Sequence, residues 1–320
     1  MVNHIGYLLA SCPSGRYKKA GWTDAITRCA VKIIDALRAQ TRPFYSLEFY
    51  PPKEESQLPE FFEAVDQLKT LNPLFASVTY GAGGGSQDNT LAFSEKIKDM
   101  GIIPMPHLTC VNATRERLAG FLADLQKIGV CNVLALRGDA PQTEGFSWEH
   151  GEFHHASDLV AFAQKDFPEI CLGVAGYPGA HPESPSFASD IFHTKAKLDA
   201  GADFVVTQLF FDVREYFAMV ERLRDMGVTK PVLPGILPIQ SLESIRRILQ
   251  MCGANIPGKL YLALEDAHKS GGSKAVREVG LRFAVEQIRR LVDNGAPGIH
   301  LYTLNRAAMC LRIAKEAGIA

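Results

Sequence analysis

Eight short apolar runs punctuate this chain, at 44–50, 75–80, 102–108, 131–137, 170–176, 203–209, 232–236 and 298–303. They are apolar almost throughout, as strands buried on both faces are. Between them the apolar residues space out to helical periods. Phe61, Val65 and Leu68 fall at i, i+4 and i+7; Leu118, Phe121, Leu122, Leu125 and Ile128 form a stripe behind Thr114, a candidate N-cap. Val213, Tyr216, Phe217, Val220 and Leu223 make another stripe, and Val276, Val279, Phe283, Ile288 and Leu291 a further one closed by Gly295. Strands alternating with helical stripes predict βαβ units and a parallel sheet, and eight of them predict an α/β fold, the (β/α)8 TIM barrel. Residues 43–320 form that single barrel domain in this reading, preceded by an N-terminal extension, 1–42, with an amphipathic helical stretch (Ile26, Val31, Ile33, Ile34, Leu37) packed under it. The segment 252–272 lengthens the connection between strands seven and eight, as an extra helix or as part of the mouth.

A closed parallel barrel points all its strand ends at one face, so residues distant in sequence meet where the βα loops converge. The residues that end the runs therefore matter as a set: Glu48, Thr79, His107, Arg137 with Asp139, Tyr177, Gln208, the turn 235–238, and Tyr302 with Arg306.

Glu48 stands among aromatics in Leu47-Glu48-Phe49-Tyr50-Pro51-Pro52-Lys53. Partial desolvation would raise its pKa and suit it to general acid work near neutral pH; an ion pair with Lys53 or a rim arginine is the competing reading. Thr79-Tyr80-Gly81-Ala82-Gly83-Gly84-Gly85-Ser86 either lets backbone approach a planar or phosphorylated ligand or is a plain flexible loop, and its spacing fits neither a dinucleotide fingerprint nor a Walker loop. His107 alone is as readily structural as functional, and Arg137-Gly138-Asp139 as readily an internal salt bridge. Charges at a buried strand end are nevertheless costly unless compensated, and a bound polar cofactor would compensate them. Tyr177-Pro178-Gly179-Ala180-His181-Pro182-Glu183 is a rigid loop presenting a ring, an imidazole and a carboxylate. Asp190, His193 and Lys197 share one helical face, which is either solvated or, through Lys197, suited to a phosphate. Gln208 offers the donor and acceptor that a heterocyclic amide needs, and Arg306 a base for a carboxylate. His150, His154 and His155 are the only histidine cluster and lack partners at ligand spacing, so no metal is expected.

With 47% hydrophobic residues in 320, the chain can bury a large core, and its net charge of -1 comes from evenly mixed acids and bases. No electrostatic footprint argues for nucleic acid or an anionic membrane surface, so a small-molecule substrate is favoured. Seven cysteines without a Cys-x-x-Cys pair read as reduced thiols of a cytoplasmic protein. Leu9-Ala10-Ser11-Cys12 resembles a lipoprotein cleavage box but lacks a basic leader, and no stretch approaches the roughly 20 apolar residues of a membrane span.

Taken in order, Leu47-Glu48-Phe49-Tyr50-Pro51-Pro52, Ser77-Val78-Thr79-Tyr80-Gly81-Ala82, Pro106-His107-Leu108-Thr109, Leu136-Arg137-Gly138-Asp139, Gly176-Tyr177-Pro178 with His181-Pro182-Glu183, Thr207-Gln208-Leu209-Phe210-Phe211, Pro234-Gly235-Ile236 and Tyr302-Thr303-Leu304-Asn305-Arg306 resemble the methylenetetrahydrofolate reductase family from about residue 43 onward. The resemblance implies a cytoplasmic flavoprotein of one-carbon metabolism and methionine synthesis. FAD would lie across the C-terminal face, and hydride would pass from NADH or NADPH to methylenetetrahydrofolate by a ping-pong sequence. It implies Glu48 as the general acid that helps open the folate ring, Asp139 as the carboxylate that tunes the flavin and balances the cation formed, and Gln208, Leu242 and Arg306 as substrate contacts. It implies FAD contacts at Thr79, Tyr80, Ala82, His107, Arg137, Gly138, Asp139, His155, Ala156, Tyr177, His181, Asp190, His193 and Lys197. Three of these positions depart from the family's pattern: Leu242 replaces an aromatic that stacks on substrate, His155 a tyrosine and His193 an asparagine. A homo-oligomer is expected. The C-terminal regulatory domain of animal members has no counterpart in these motifs, so no inhibition by S-adenosylmethionine is expected. The alternatives are another TIM-barrel flavin oxidoreductase, or a non-catalytic flavin- or folate-binding subunit of a complex.

Overall fold

The computed structural model describes residues 31–52, 54–79, 87–140 and 151–319. The eight apolar runs become β1 (Tyr45–Phe49), β2 (Ala76–Val78), β3 (Pro104–Thr109), β4 (Asn132–Leu136), β5 (Cys171–Gly176), β6 (Phe204–Leu209), β7 (Val232–Ile236) and β8 (Ile299–Tyr302). Every neighbouring pair is parallel and follows chain order, and β1 also pairs with β8, which closes the barrel. The described helices are α1 (Ile33–Ala39), α2 (Leu58–Lys69), α3 (Gln87–Asp99), α4 (Arg115–Lys127), α5 (Ala156–Asp166), α6 (Phe187–Asp199), α7 (Val213–Asp225), α8 (Leu242–Cys252), α9 (Gly258–Asp293) and α10 (Ala307–Ala317). The chain is therefore a (β/α)8 TIM barrel. No described helix is long and apolar enough to cross a membrane.

Strand parity sorts the side chains. Tyr45, Leu47 and Phe49 of β1 enter the apolar layer between strands and helices, where they meet the stripe of α2 (Phe61, Val65, Leu68) and its equivalents. Ser46 and Glu48, at the opposite parity, face the barrel interior. The lower interior is apolar, with Phe75, Met105, Leu134, Phe204 and Leu233 in one cluster. Ile33, Ile34 and Leu37 of α1 belong to the same cluster, so α1 closes the N-terminal end of the barrel. Asn132, at the start of β4, fixes that closure: its Oδ1 accepts from Ile33 N–H at 2.7 Å and its Nδ2 donates to Val31 C=O at 3.0 Å. Thr114 caps α4 as its sequence position predicts, its hydroxyl accepting from Arg117 N–H at 3.2 Å.

The extension between β7 and β8 is built from α8 and the first half of α9. That half ends where α9 kinks at Gly271 (φ -157°, ψ 19°) and Gly272 (φ 59°, ψ -151°). Its apolar faces form a separate cluster with Leu209, Phe211 and Ile239 beside the mouth. The turn after α8 reaches the first turn of α7, where Asn255 Nδ2 donates to Glu215 Oε1 at 2.8 Å. Cys110, Cys171, Cys252 and Cys310 are free thiols. Cys131 departs from the expectation of reduced cysteines: it is disulfide-bonded, at the foot of the barrel beside Val31, where α1 approaches β4.

Candidate active site

Glu48 is the last inward-facing residue of β1, and three side chains from neighbouring strands converge on its Oε2. Ser77 of β2 donates to it at 3.1 Å, His107 Nε2 of β3 lies 3.2 Å away, and His300 Nε2 of β8 lies 3.7 Å away. His300 is wholly buried, stacks on Phe75, and is oriented by Ser46, whose Oγ sits 2.9 Å from its Nδ1. Burial pushes the Glu48 carboxyl up, but the two imidazoles overcome it, His107 foremost, and hold it well below the usual carboxylate range. This corrects the expectation of a carboxyl with a raised pKa. The aromatic neighbours in sequence point outward, whereas the groups that set the charge come from β3 and β8. The ion-pair partners of Glu48 are these imidazoles rather than a rim arginine; Lys53 lies outside the described residues.

A second ring of polar groups surrounds this centre. Tyr302 passes over β7 to β6, its hydroxyl donating to Thr207 C=O at 2.6 Å across Gly235, where a Cβ would stand 2.6 Å from the ring. Burial raises the Tyr302 phenol far above its ordinary value, and the charges of Glu48, Tyr177 and Cys252 add to the shift. Burial also pushes Tyr177 up to about 12, against a hydrogen bond from Gln208, with Cys252 and Asp139 adding to the rise. The Cys252 thiol is raised by burial and then by Asp139. Glu48, Gln208 and Tyr302 lie at the C-terminal ends of β1, β6 and β8, and Asp139 and Tyr177 follow β4 and β5, so all five stand at the same end of the barrel. Asp139 itself is exposed, one residue past Gly138, whose φ of 86° bends the chain out of β4. Gln208 Oε1 accepts from Leu209 N–H at 2.9 Å.

Beyond β4 and β5 lies a cationic flank. Arg137 pairs with Glu183 at 2.6 Å. Tyr177 and His181 meet edge to face at 4.6 Å, and His181 N–H donates to Asp190 Oδ2 at 2.6 Å. Lys197 is half-buried with its ammonium on Ala175 C=O at 2.5 Å; desolvation lowers it to about 8 despite the charge of Asp190. At the start of α5 the Asp158 carboxylate accepts from His155 N–H at 3.0 Å, directly before Ala156, and the His155 ring stacks with His193 of α6 at 6.2 Å. Thr79 Oγ1 and His107 Nε2 are buried without a hydrogen-bond partner. For His107 the 3.2 Å approach to Glu48 is thus electrostatic contact without hydrogen-bond alignment.

Two expected substrate residues stand apart from this centre. Leu242, the first residue of α8, is buried in the cluster of Ile239 and Ile245, and it also lines an outer cavity of about 400 Å³ with Glu243, Arg246, Arg247, Gln250 and His268. Arg306 is exposed at the N-terminus of α10. Tyr80 and Ala82 lie outside the described residues. Sequence reasoning missed Ser46, Ser77 and His300. Their signal was parity: each is polar within an apolar strand, and Ser46 and His300 are two residues from Glu48 and Tyr302.

The methylenetetrahydrofolate reductase family profile matches residues 32–318. The methylenetetrahydrofolate reductase (NADH) 1 of Arabidopsis thaliana is 34% identical over 90% of this chain and 51% of its own length. A probable methylenetetrahydrofolate reductase (NADPH) of Caenorhabditis elegans is 35% identical over 89% of this chain and 44% of its own. The chain thus spans about half the length of these relatives. It covers 90% of the 5,10-methylenetetrahydrofolate reductase of Escherichia coli, to which it is 34% identical over 86% of its own length. Among solved structures, an uncharacterised Clostridium thermocellum protein that binds two copies of 5-methyl-5,6,7,8-tetrahydrofolic acid shares the fold, with a TM-score of 0.60 at 13% identity over 89% of this chain and 99% of that one.

Proposed function

Because the chain belongs to the methylenetetrahydrofolate reductase family, we propose that it reduces 5,10-methylenetetrahydrofolate to 5-methyltetrahydrofolate, with NADH or NADPH as hydride source and FAD as resident cofactor. The observation that carries this reading is Glu48, held inside the mouth end of β1 by Ser77, His107 and His300, at the end of the barrel where Asp139 follows β4. FAD, when bound, supplies the two-electron relay between nicotinamide and folate in ping-pong order. The residues fit such a group: Thr79 keeps a buried hydroxyl without a hydrogen-bond partner, and Lys197 is a half-buried cation with a carbonyl as its partner. Thr79, His107, Arg137, Gly138, Ala156, Tyr177, His181, Asp190 and Lys197 would hold it, with His155 and His193 at the α5–α6 side.

Opening the folate ring to a 5-iminium cation requires a proton at the nitrogen that leaves. Glu48 with His107 and His300 forms a carboxylate–imidazole set that can store that proton. Folate entering the mouth excludes water from Glu48, and desolvation raises a carboxyl, so binding favours the protonated Glu48 that donates to substrate. Asp139 supplies the fixed negative charge that balances the cation. Gln208 holds the pterin edge after it has held the nicotinamide, and Arg306 takes a carboxylate of the folate tail.

The test is anaerobic. Purified protein should show a flavin spectrum, bleach with NADH or NADPH, and recover on addition of methylenetetrahydrofolate. Recovery with menadione but not with folate would assign another flavin oxidoreductase, and a colourless protein that takes up no FAD would end the flavoenzyme reading.

A further inference from the structure

The loop after β8 contains a side-chain brace that none of the site residues above accounts for. β1 and β8 pair up to Glu48 opposite Tyr302, and Thr303 then holds the Glu48 C=O twice, through N–H at 3.2 Å and Oγ1 at 2.6 Å. Beyond that point the backbones part. Tyr50 is followed by Pro51 and Pro52, which have no N–H, so β1 cannot extend its ladder. The Asn305 carboxamide supplies the missing rung: its Oδ1 accepts from Tyr50 N–H at 3.1 Å and its Nδ2 donates to Tyr50 C=O at 2.6 Å.

Placing that amide needs an unusual turn. Leu304 (φ 47°) and Asn305 (φ 58°) are consecutive non-glycine residues in the left-handed region. Asparagine visits that region readily and leucine does not, and such strain persists only where the surroundings over-determine it. Here they do: Asn305 N–H donates to Thr303 Oγ1 at 3.0 Å, and Arg306 N–H to Thr303 C=O at 2.8 Å. One short loop thus ties the backbone of Glu48 and Tyr50 to Arg306, the N-cap residue of α10.

Resting on the reductase reading, we propose that Asn305 is a positioning residue that holds Glu48 and Arg306 as one unit, so that the proton-donating end and the carboxylate-binding end of the site address a single folate molecule at fixed separation. The carboxamide touches neither substrate nor cofactor; it acts through the exit of β1.

Asn305→Gly tests this, because glycine accepts the left-handed backbone while removing the amide. Tyr50 is partly exposed, so its N–H should exchange with deuterium about two- to tenfold faster once the rung is lost, the range expected for one modest hydrogen bond. Flavin content and the rate of reduction by NADH or NADPH should stay within about twofold of the parent. The limiting rate of reoxidation by methylenetetrahydrofolate should fall about ten- to hundredfold, as for a misplaced reacting group, with a weaker apparent affinity for folate. Asn305→Asp, which keeps the acceptor and turns the donor into a second oxygen facing Tyr50 C=O, should show the same split. Parent-like folate reoxidation in Asn305→Gly overturns the proposal. So does equal loss of both half-reactions, or failure of both variants to fold, either of which would assign Asn305 to the fold. A parent whose flavin no folate reoxidises defeats the reductase reading and this inference with it, and shows itself before any variant is compared.

Discussion

Glu48 carries opposite influences, and their balance is testable. Burial raises its carboxyl while His107 and His300 lower it, with a net result below the ordinary 4.5. A carboxyl depressed on folding contributes stability above its ordinary value and loses it as pH falls. Glu48→Gln should therefore narrow the gap between melting temperatures at neutral and acid pH. In the same variant, flavin reduction by nicotinamide should stay within about twofold while folate reduction falls by at least about a hundredfold, the scale of a lost general acid. Equal loss of both half-reactions would remove Glu48 from that role. Lys197 offers a complementary reading of the cofactor flank. With its ammonium at about 8, the free protein is only partly protonated there near that pH. A phosphate-bearing ligand raises the pKa of an adjacent ammonium, so FAD binding should take up protons near pH 8 and little at pH 6. Calorimetry in buffers of differing ionisation enthalpy measures that uptake, and Lys197→Met should abolish it.

At the scale of elements, α8 brings Cys252 into the mouth. Cys252 is partly exposed, whereas the other described free thiols, Cys110, Cys171 and Cys310, are buried. Iodoacetamide should therefore label Cys252 first among these four, and bound FAD or folate should slow the labelling. Asp139 raises this thiol, so Asp139→Asn should lower its pKa and speed alkylation at neutral pH. An unchanged rate would separate Asp139 from the cavity. The strands that frame this mouth were legible in sequence, because a parallel strand covered on both faces is apolar throughout, and the observed strands lie within their expected runs to within a residue. Glu48 was legible as a site residue, but its charge state was not. That depends on His107 and His300 from other strands, which only barrel closure brings to its carboxylate. Ser46 and Ser77 showed only as polar residues within apolar strands; their role depends on His300 and Glu48, which barrel closure brings to them. Leu242 was placed by its motif position, whereas packing carries its side chain into the cluster beside the mouth.

The whole molecule separates stability from chemistry along the barrel axis. The lower interior is packed with Phe75, Met105, Leu134, Phe204 and Leu233 under α1, while polar groups begin at Ser46, Ser77 and His300 and become ionised at Glu48. Phe204 fills the space beside Gly173, where an added Cβ would stand 2.9 Å from its ring, so this layer has little slack. Such packing makes truncation expensive: Phe204→Ala removes a fully buried ring and should cost about 3–5 kcal/mol in chemical denaturation. Because the layer carries no group that reaches the mouth, the folded fraction of that variant should keep both half-reactions within about threefold at temperatures below its transition, by the usual additivity of distant sites. Gly173→Ala, which overpacks the same place, should behave alike. Glu48→Gln is the converse in rate, with folate reduction lost while flavin reduction is kept. If Phe204→Ala instead slowed folate reduction as strongly as Glu48→Gln did, the two layers would be mechanically coupled, and strain at the foot of the barrel would have to be transmitted along β6 from Phe204 to Gln208, two side chains on the same face of one strand.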